Sequence, residues 1–133
     1  MSISIIIPTH SRGGQVLGAV ESVISSAPID DVEIIVVEDR TNQAYGVLLD
    51  YISSGRVKYY HKSEGPHGAA ATRNFGVHQA SHSHVLFLDD DDIFNHQDIS
   101  FMLSYLKNPT AQWGFCNQEI NGNLKRSKAR VSK

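Results

Sequence analysis

Four consecutive aspartates, Asp89–Asp92, follow the apolar run "VLFL". Like charges ~4 Å apart cost about 1 kcal/mol in water and several times that near a protein surface. A chain that keeps such a cluster at the end of a buried strand therefore needs a counter-charge. Carboxylate oxygens are hard ligands suited to Mg2+ or Mn2+. Mg2+ takes one or two carboxylates and leaves its other positions to water and substrate phosphates. The chain also offers Arg73, in "ATRNFG", near a predicted helix start where backbone N–H groups favour an anion. A metal on one side, with an arginine and a helix terminus on the other, makes a diphosphate clamp. Plainer readings stand beside it: a solvated turn with a helix cap for the aspartates, and a surface position for the arginine. Among the seven histidines no ligand spacing emerges, and His78, His82 and His84 read as loop and helix surface.

The elements that must position these residues alternate. "SISIIIP", "VEIIVVED" (Val32 to Glu38 at its core), "RVKYYH" and "HVLFLD" read as strands. "GGQVLGAVESVISSA", "NQAYGVLLDYISS", "HGAAATRNFGVHQAS" and "DISFMLSYLKN" read as helices. The first helix turns Val16, Leu17, Val20, Val23 and Ile24 inward; the second, Tyr45, Leu48, Leu49 and Ile52; the third, Phe75, Val77 and Ala80. Asn95 or Asp98 caps the fourth helix, which stops before Pro109, and "AQWGFCNQEI" is a candidate last strand. This order predicts an α/β fold: a Rossmann-type, mostly parallel sheet with helices on both faces. The unbroken apolar strands agree, because a central parallel strand is buried on both faces. Ligands in such sheets sit beyond the strand carboxyl ends. Those positions read "PTHSR", "EDRT", "HKSEGPHG" and "DDDD", with Arg12 beside the mouth.

The 133 residues, 41% hydrophobic and 20% charged, suit one globular domain. Five of the twelve Lys and Arg fall in the last nine residues, which leaves seven bases against fourteen acids in residues 1–124. A solvated terminus accounts for that basic stretch better than a nucleic-acid or lipid contact does. The single cysteine, Cys116, excludes an intramolecular disulfide and fits a reducing compartment. No apolar run approaches a membrane span, and the first strand begins where a signal peptide would lie, so a cytoplasmic location is expected.

"SIIIPTHSR", "VEIIVVEDR", "ATRNFGVHQAS" and "VLFLDDDD", in this order, resemble the family-2 inverting glycosyltransferases of GT-A fold. The resemblance covers residues 2–107 and carries the family's roles with it. Pro8 and Thr9 would line the base and ribose pocket, with Arg12 at its edge. Asp39 would accept the imide N–H of uracil or another base, and Arg73 would contact the diphosphate. Asp89 and Asp91 match the Asp-x-Asp pair, and Asp92 the acid that follows. Asp89 and Asp90 are assigned to the nucleotide and Asp91 and Asp92 to Mn2+ or Mg2+, with the register of direct ligands left open. The implied donor is a nucleotide-diphosphate sugar, UDP-sugar favoured, in the setting of polysaccharide biosynthesis. The implied acceptor is a sugar or lipid-linked glycan hydroxyl. No nucleic-acid partner is implied, and peripheral membrane contact and self-association stay open.

Two departures from the family pattern stand out. Glu38 replaces the usual Asp before Asp39, and Arg40 and Thr41 replace the usual Gly-Ser after it. Residues 1–116 are expected to form the nucleotide-sugar-binding domain and residues 117–133 a basic tail, with the acceptor half missing. Glu119 is the weak candidate for a catalytic base, as the only glutamate after Asp92. The alternatives are a degenerate module that binds nucleotide-sugar without turnover and a nucleotidyltransferase. The latter is disfavoured because "PTHSRGGQ" has glycines but no lysine.

Overall fold

The computed structural model describes residues 2–26, 30–95, 99, 102–104, 117–120 and 123–126. Strands β1 (Ile3–Thr9), β2 (Val32–Asp39), β3 (Val57–Lys62) and β4 (His84–Phe87) form one parallel sheet in the order β3-β2-β1-β4. Helix α1 (Gly13–Ser26) links β1 to β2. The short helices α2 (Gln43–Val47) and α3 (Leu49–Ser53) precede β3, and α4 (Ala69–Gln79) precedes β4. This is the expected α/β fold.

β1 is buried along its whole length because its two faces feed two cores. Ile3, Ile5 and Ile7 join Val16, Val20 and Val23 of α1, whereas Ile6 joins Ile35, Val37 and Val85 under α4. Alternation along a strand sends neighbouring residues to opposite faces, so an unbroken isoleucine run is what a strand covered on both sides requires. The α4 side is the tighter. A Cβ on Gly76 would come within 2.5 Å of Ile6 Cγ2, so glycine lets the helix lie close on β1. Gly13 does the same for α1, where a Cβ would stand 2.5 Å from the Gln43 carbonyl oxygen.

The second helical region departs from its expected packing. Leu48 is fully buried, but Tyr45 and Leu49 are 48% and 44% exposed, and Ala44 takes the inner position instead. The cause is the break at Leu48 (φ −100°, ψ 3°), which separates α2 from α3 and resets the inward face. Tyr45 lies edge-on against Tyr59 rather than in the core. Ile52 and the third helix's Phe75 and Val77 are part-buried as expected.

Residues Asn117–Ile120 (β5), the end of the candidate last strand, pair with Asn123–Arg126 (β6) as an antiparallel hairpin, in the stretch also read from sequence as the start of the basic tail. Ile99, Met102 and Leu103 are buried against the α1 face. The expected cap at Asp98 and stop before Pro109 lie outside the described residues. Among the described residues no helix is long and apolar enough to cross a membrane.

Candidate functional site

The chain runs from β1 outward to β3, then returns to place β4 on the other side of β1. That reversal makes β1/β4 the switch point of the sheet, where open α/β folds leave a crevice at the strand carboxyl ends. A cleft of about 610 Å3 lies there. Its walls include Pro8 and Thr9 at the end of β1, Arg12 after it, Asp39 at the end of β2, Arg73 on α4, and Asp89, Asp90 and Asp91 after β4. Every residue expected to meet the nucleotide is therefore in one cleft. Asp92 is not on that wall, but its carboxylate joins those of Asp89 and Asp91, with ligand oxygens within 4.8 Å of one another. Glu119 lies on β5, and its side chain is outside the described structure.

The aspartates find their counter-charges within the chain. Thr9 Oγ1 donates to Asp90 Oδ2 at 2.8 Å in a buried contact. Arg12 Nη1 reaches Asp90 Oδ1 at 3.3 Å and Asp91 Oδ2 at 3.1 Å, and Arg73 Nη2 reaches Asp89 Oδ1 at 2.7 Å. A tight turn, with the Asp92 N–H donating to the Asp89 carbonyl, packs the carboxylates together. Two arginines do not offset four acids. Burial first, and then the charges of Asp91, Asp89 and Asp90, push the Asp92 carboxyl above its ordinary range. That uncompensated repulsion, on three convergent hard oxygen ligands, fits a divalent cation such as Mn2+ or Mg2+.

Asp39 sits in a different environment. Its side chain is 3% exposed. The register places Lys62 directly opposite it across β2 and β3, which brings the Lys62 ammonium to 3.5 Å from Oδ1. Burial alone would raise the Asp39 carboxyl. The Gly68 N–H at 3.0 Å, Lys62 and His67 outweigh that and hold it below its ordinary value, so it is an ionised acceptor. His10 and His67 complete a His–Asp–His group whose ligand atoms also lie within 4.8 Å of one another. Lys62 and Arg40, at 3.5 Å and 3.9 Å from the same carboxylate, oppose a cation there.

Glu38 serves the scaffold. Fully buried, it accepts from Thr41 Oγ1 at 2.7 Å, the Gln43 and Ala44 N–H groups at 2.8 and 3.1 Å, and Tyr59 Oη at 2.7 Å. Its carboxylate thus satisfies the first free donors of α2 and fixes the corner after Asp39. Arg40 occupies that corner at φ +63°, a left-handed conformation that a glycine adopts without strain. Its guanidinium holds the Gly65 carbonyl, which ties the corner to the β3–α4 loop.

Sequence reasoning assigned no role to Lys62, His67, Gly68 or Thr72. Their signal was the stretch after β3, "HKSEGPHG", recognised as a strand mouth but not resolved into roles. Only the register shows that Lys62 faces Asp39, and only the loop path brings His67 and Gly68 to its other oxygen.

Residues 4–131 match the model of "Glycosyl transferase family 2". The chain belongs to this family. An uncharacterised glycosyltransferase of Rickettsia bellii is 31% identical over 107 residues, covering 79% of this chain and 15% of the relative. The GalNAc(5)-diNAcBac-PP-undecaprenol beta-1,3-glucosyltransferase of Campylobacter jejuni is 30% identical over 125 residues, covering 92% of this chain and 40% of that protein. The chain thus spans well under half of either. Among solved structures, S. aureus TarS 1-349 in complex with UDP-GlcNAc superposes with a TM-score of 0.77 at 22% identity, over 92% of this chain and 36% of that one. The Pyrobaculum calidifontis mannosyltransferase PcManGT, solved with GDP-Man and Mn2+, gives 0.73 at 17% identity, over 83% and 33%. These structures share the fold of this chain, which is the GT-A-like architecture expected from its motifs.

Proposed function

We propose that the cleft holds the nucleotide diphosphate of a sugar donor, UDP-sugar by preference, together with Mn2+ or Mg2+, for transfer to an acceptor hydroxyl. The observation that carries this reading is the convergence of a buried base-reading acid, two arginines and three clustered aspartates at the switch point of a family-2 chain. The relatives' names and the UDP-GlcNAc and GDP-Man complexes of the structural neighbours support the donor class.

Asp39 recognises the base, Pro8 and Thr9 line its pocket, and Asp89 and Asp90 face the ribose or sugar hydroxyls. Asp91 and Asp92 would hold the metal, which supplies Lewis-acid stabilisation of the leaving diphosphate. Arg73 leaves Asp89, and Arg12 leaves Asp91, to meet the diphosphate, since phosphate oxygens offer an arginine a bidentate partner. In an inverting transfer the acceptor oxygen bonds to the anomeric carbon as the bond to the diphosphate oxygen breaks, and the acceptor proton passes to a base. Residues 1–116 are the donor-binding part in this reading, and the base belongs to the acceptor half. In this reading the acceptor is a lipid-linked glycan met at the cytoplasmic side, and the undecaprenol-linked acceptor in the Campylobacter jejuni relative's name supports that acceptor class.

Metal and nucleotide should bind cooperatively, each screening charge for the other. Ligand at about 100 times its dissociation constant adds about 2.7 kcal/mol of stability, a rise of several degrees in Tm for a chain of this size. Melting is measured with UDP, GDP, CDP and dTDP, each with Mn2+ or with EDTA. Asp91→Asn with Asp92→Asn should remove the metal-dependent part of the shift. Asp39→Ala should weaken nucleotide binding and leave the metal dependence in place. Equal shifts in EDTA and Mn2+ for every nucleotide would refute the shared site.

A further inference from the structure

The two oxygens of Asp39 are not equivalent. Oδ1 is buried, has no hydrogen-bond partner among the described residues, and faces Lys62 Nζ at 3.5 Å and Arg40 Nε at 3.9 Å. Oδ2 accepts the Gly68 N–H at 3.0 Å and lies 2.7 Å from His67 Nδ1. An ionised carboxylate only accepts, so at that distance the proton is on His67 Nδ1. An oxygen with two lone pairs is then fully engaged. With Oδ1 turned inward, a group entering the cleft can reach Asp39 only through Oδ2, and His67 stands over it.

His67 itself is half exposed and lines the cleft. Its ring rests edge-on against His10 at 5.3 Å between centroids. The backbone beneath it is pinned, since Lys62 holds the Pro66 carbonyl and Arg40 the Gly65 carbonyl. The imidazole can turn away about its own side-chain bonds while the loop stays in place.

We infer that His67 is an internal competitor for the base-reading oxygen of Asp39, its ring N–H standing where the imide N–H of an incoming base must donate. This rests on Asp39 as the base-reading group. Uracil, thymine and guanine bring an N–H of their own and replace the bond that His67 gives up. Cytosine has an acceptor, N3, at the ring position of that N–H, so this atom cannot replace the bond and leaves His67 in place. Part of the protein therefore occupies the binding-competent conformation only when His67 is displaced, and the apparent affinity for imide bases is lowered by that fraction.

Calorimetric titration of the full chain with UDP, CDP and pyrophosphate, each with Mg2+, tests this. A hydrogen bond to a charged group contributes about 1.5 kcal/mol or more, so His67→Ala should tighten UDP binding about tenfold. CDP and pyrophosphate affinities should not improve. The melting temperature of His67→Ala, a half-exposed position, verifies that the fold is retained. UDP binding that is unchanged or weaker in His67→Ala overturns the competition, and a weaker value assigns His67 to base contact instead. Asp39→Asn in the otherwise unaltered chain separates the two ideas: if it leaves UDP affinity unchanged, the base-reading role fails and the competitor role falls with it.

Discussion

At the scale of single residues, neighbouring acids have opposite duties set by their surroundings. Glu38 and Asp39 are adjacent on β2, yet alternation turns them to opposite faces. Glu38 goes to the α2 corner and Asp39 to the cleft. Burial works to raise the Glu38 carboxyl, but the hydrogen bonds from Thr41, Tyr59, Ala44 and Gln43 outweigh it and hold it below its ordinary value of 4.5. A carboxyl depressed in the fold contributes stability that is full above its unfolded value and is lost as pH falls through the folded one. Glu38→Gln puts an amide where only acceptors fit. It should cost about 1–3 kcal/mol near neutral pH and flatten the acid limb of the stability curve. Urea unfolding at neutral and strongly acidic pH measures both. An acid limb as steep in the variant as in the parent would show that Glu38 is not the linked group.

At the scale of elements, close approach decides what a glycine is for. Gly76 on α4 has no room for a side chain, since its Cβ would meet Ile6 Cγ2 at 2.5 Å and Val37 Cγ2 at 3.4 Å. Gly18 on α1 is exposed, and a Cβ added there would meet nothing within 4 Å. Gly76→Ala should therefore destabilise by about 1–3 kcal/mol through overpacking. Gly18→Ala should stabilise by about 1 kcal/mol through helix propensity. Thermal melting of the pair reads the difference, and equal signs would mean that α4 does not lie as close to β1 as described. The Gly76 displacement would also carry Arg73, three residues earlier on the same helix, away from Asp89.

At the scale of the whole molecule, the residues proposed to hold the donor all fall within the first 92 positions, and the relatives are much longer than this chain. General base catalysis contributes about 10²–10⁴-fold. The 133 residues by themselves should bind nucleotide and metal but transfer sugar weakly, with slow donor hydrolysis as the residual reaction. Product analysis with a labelled UDP-sugar checks this. Robust transfer that Glu119→Gln abolishes would instead make Glu119 the base and the chain self-sufficient.

The strands, the parallel α/β plan and the strand-mouth motifs were all legible in the residue order, because burial on both faces writes continuous apolar runs and the chemistry follows them directly. So was the grouping of Asp39, Arg73 and the aspartate run, since Asp39 and the aspartates follow strands of one parallel sheet and Arg73 lies in the first turns of the helix that enters from the same end. The inward face of the second helix was not legible: a local break at Leu48 rotates Tyr45 and Leu49 outward, and periodicity assumes an unbroken helix. Nor could spacing show that Arg12 and Arg73 rest on the aspartates, that Lys62 faces Asp39, or that His67 covers its one accessible oxygen. Those contacts join residues 16 to 79 positions apart. They depend on strand register and loop path, which only the packed sheet decides.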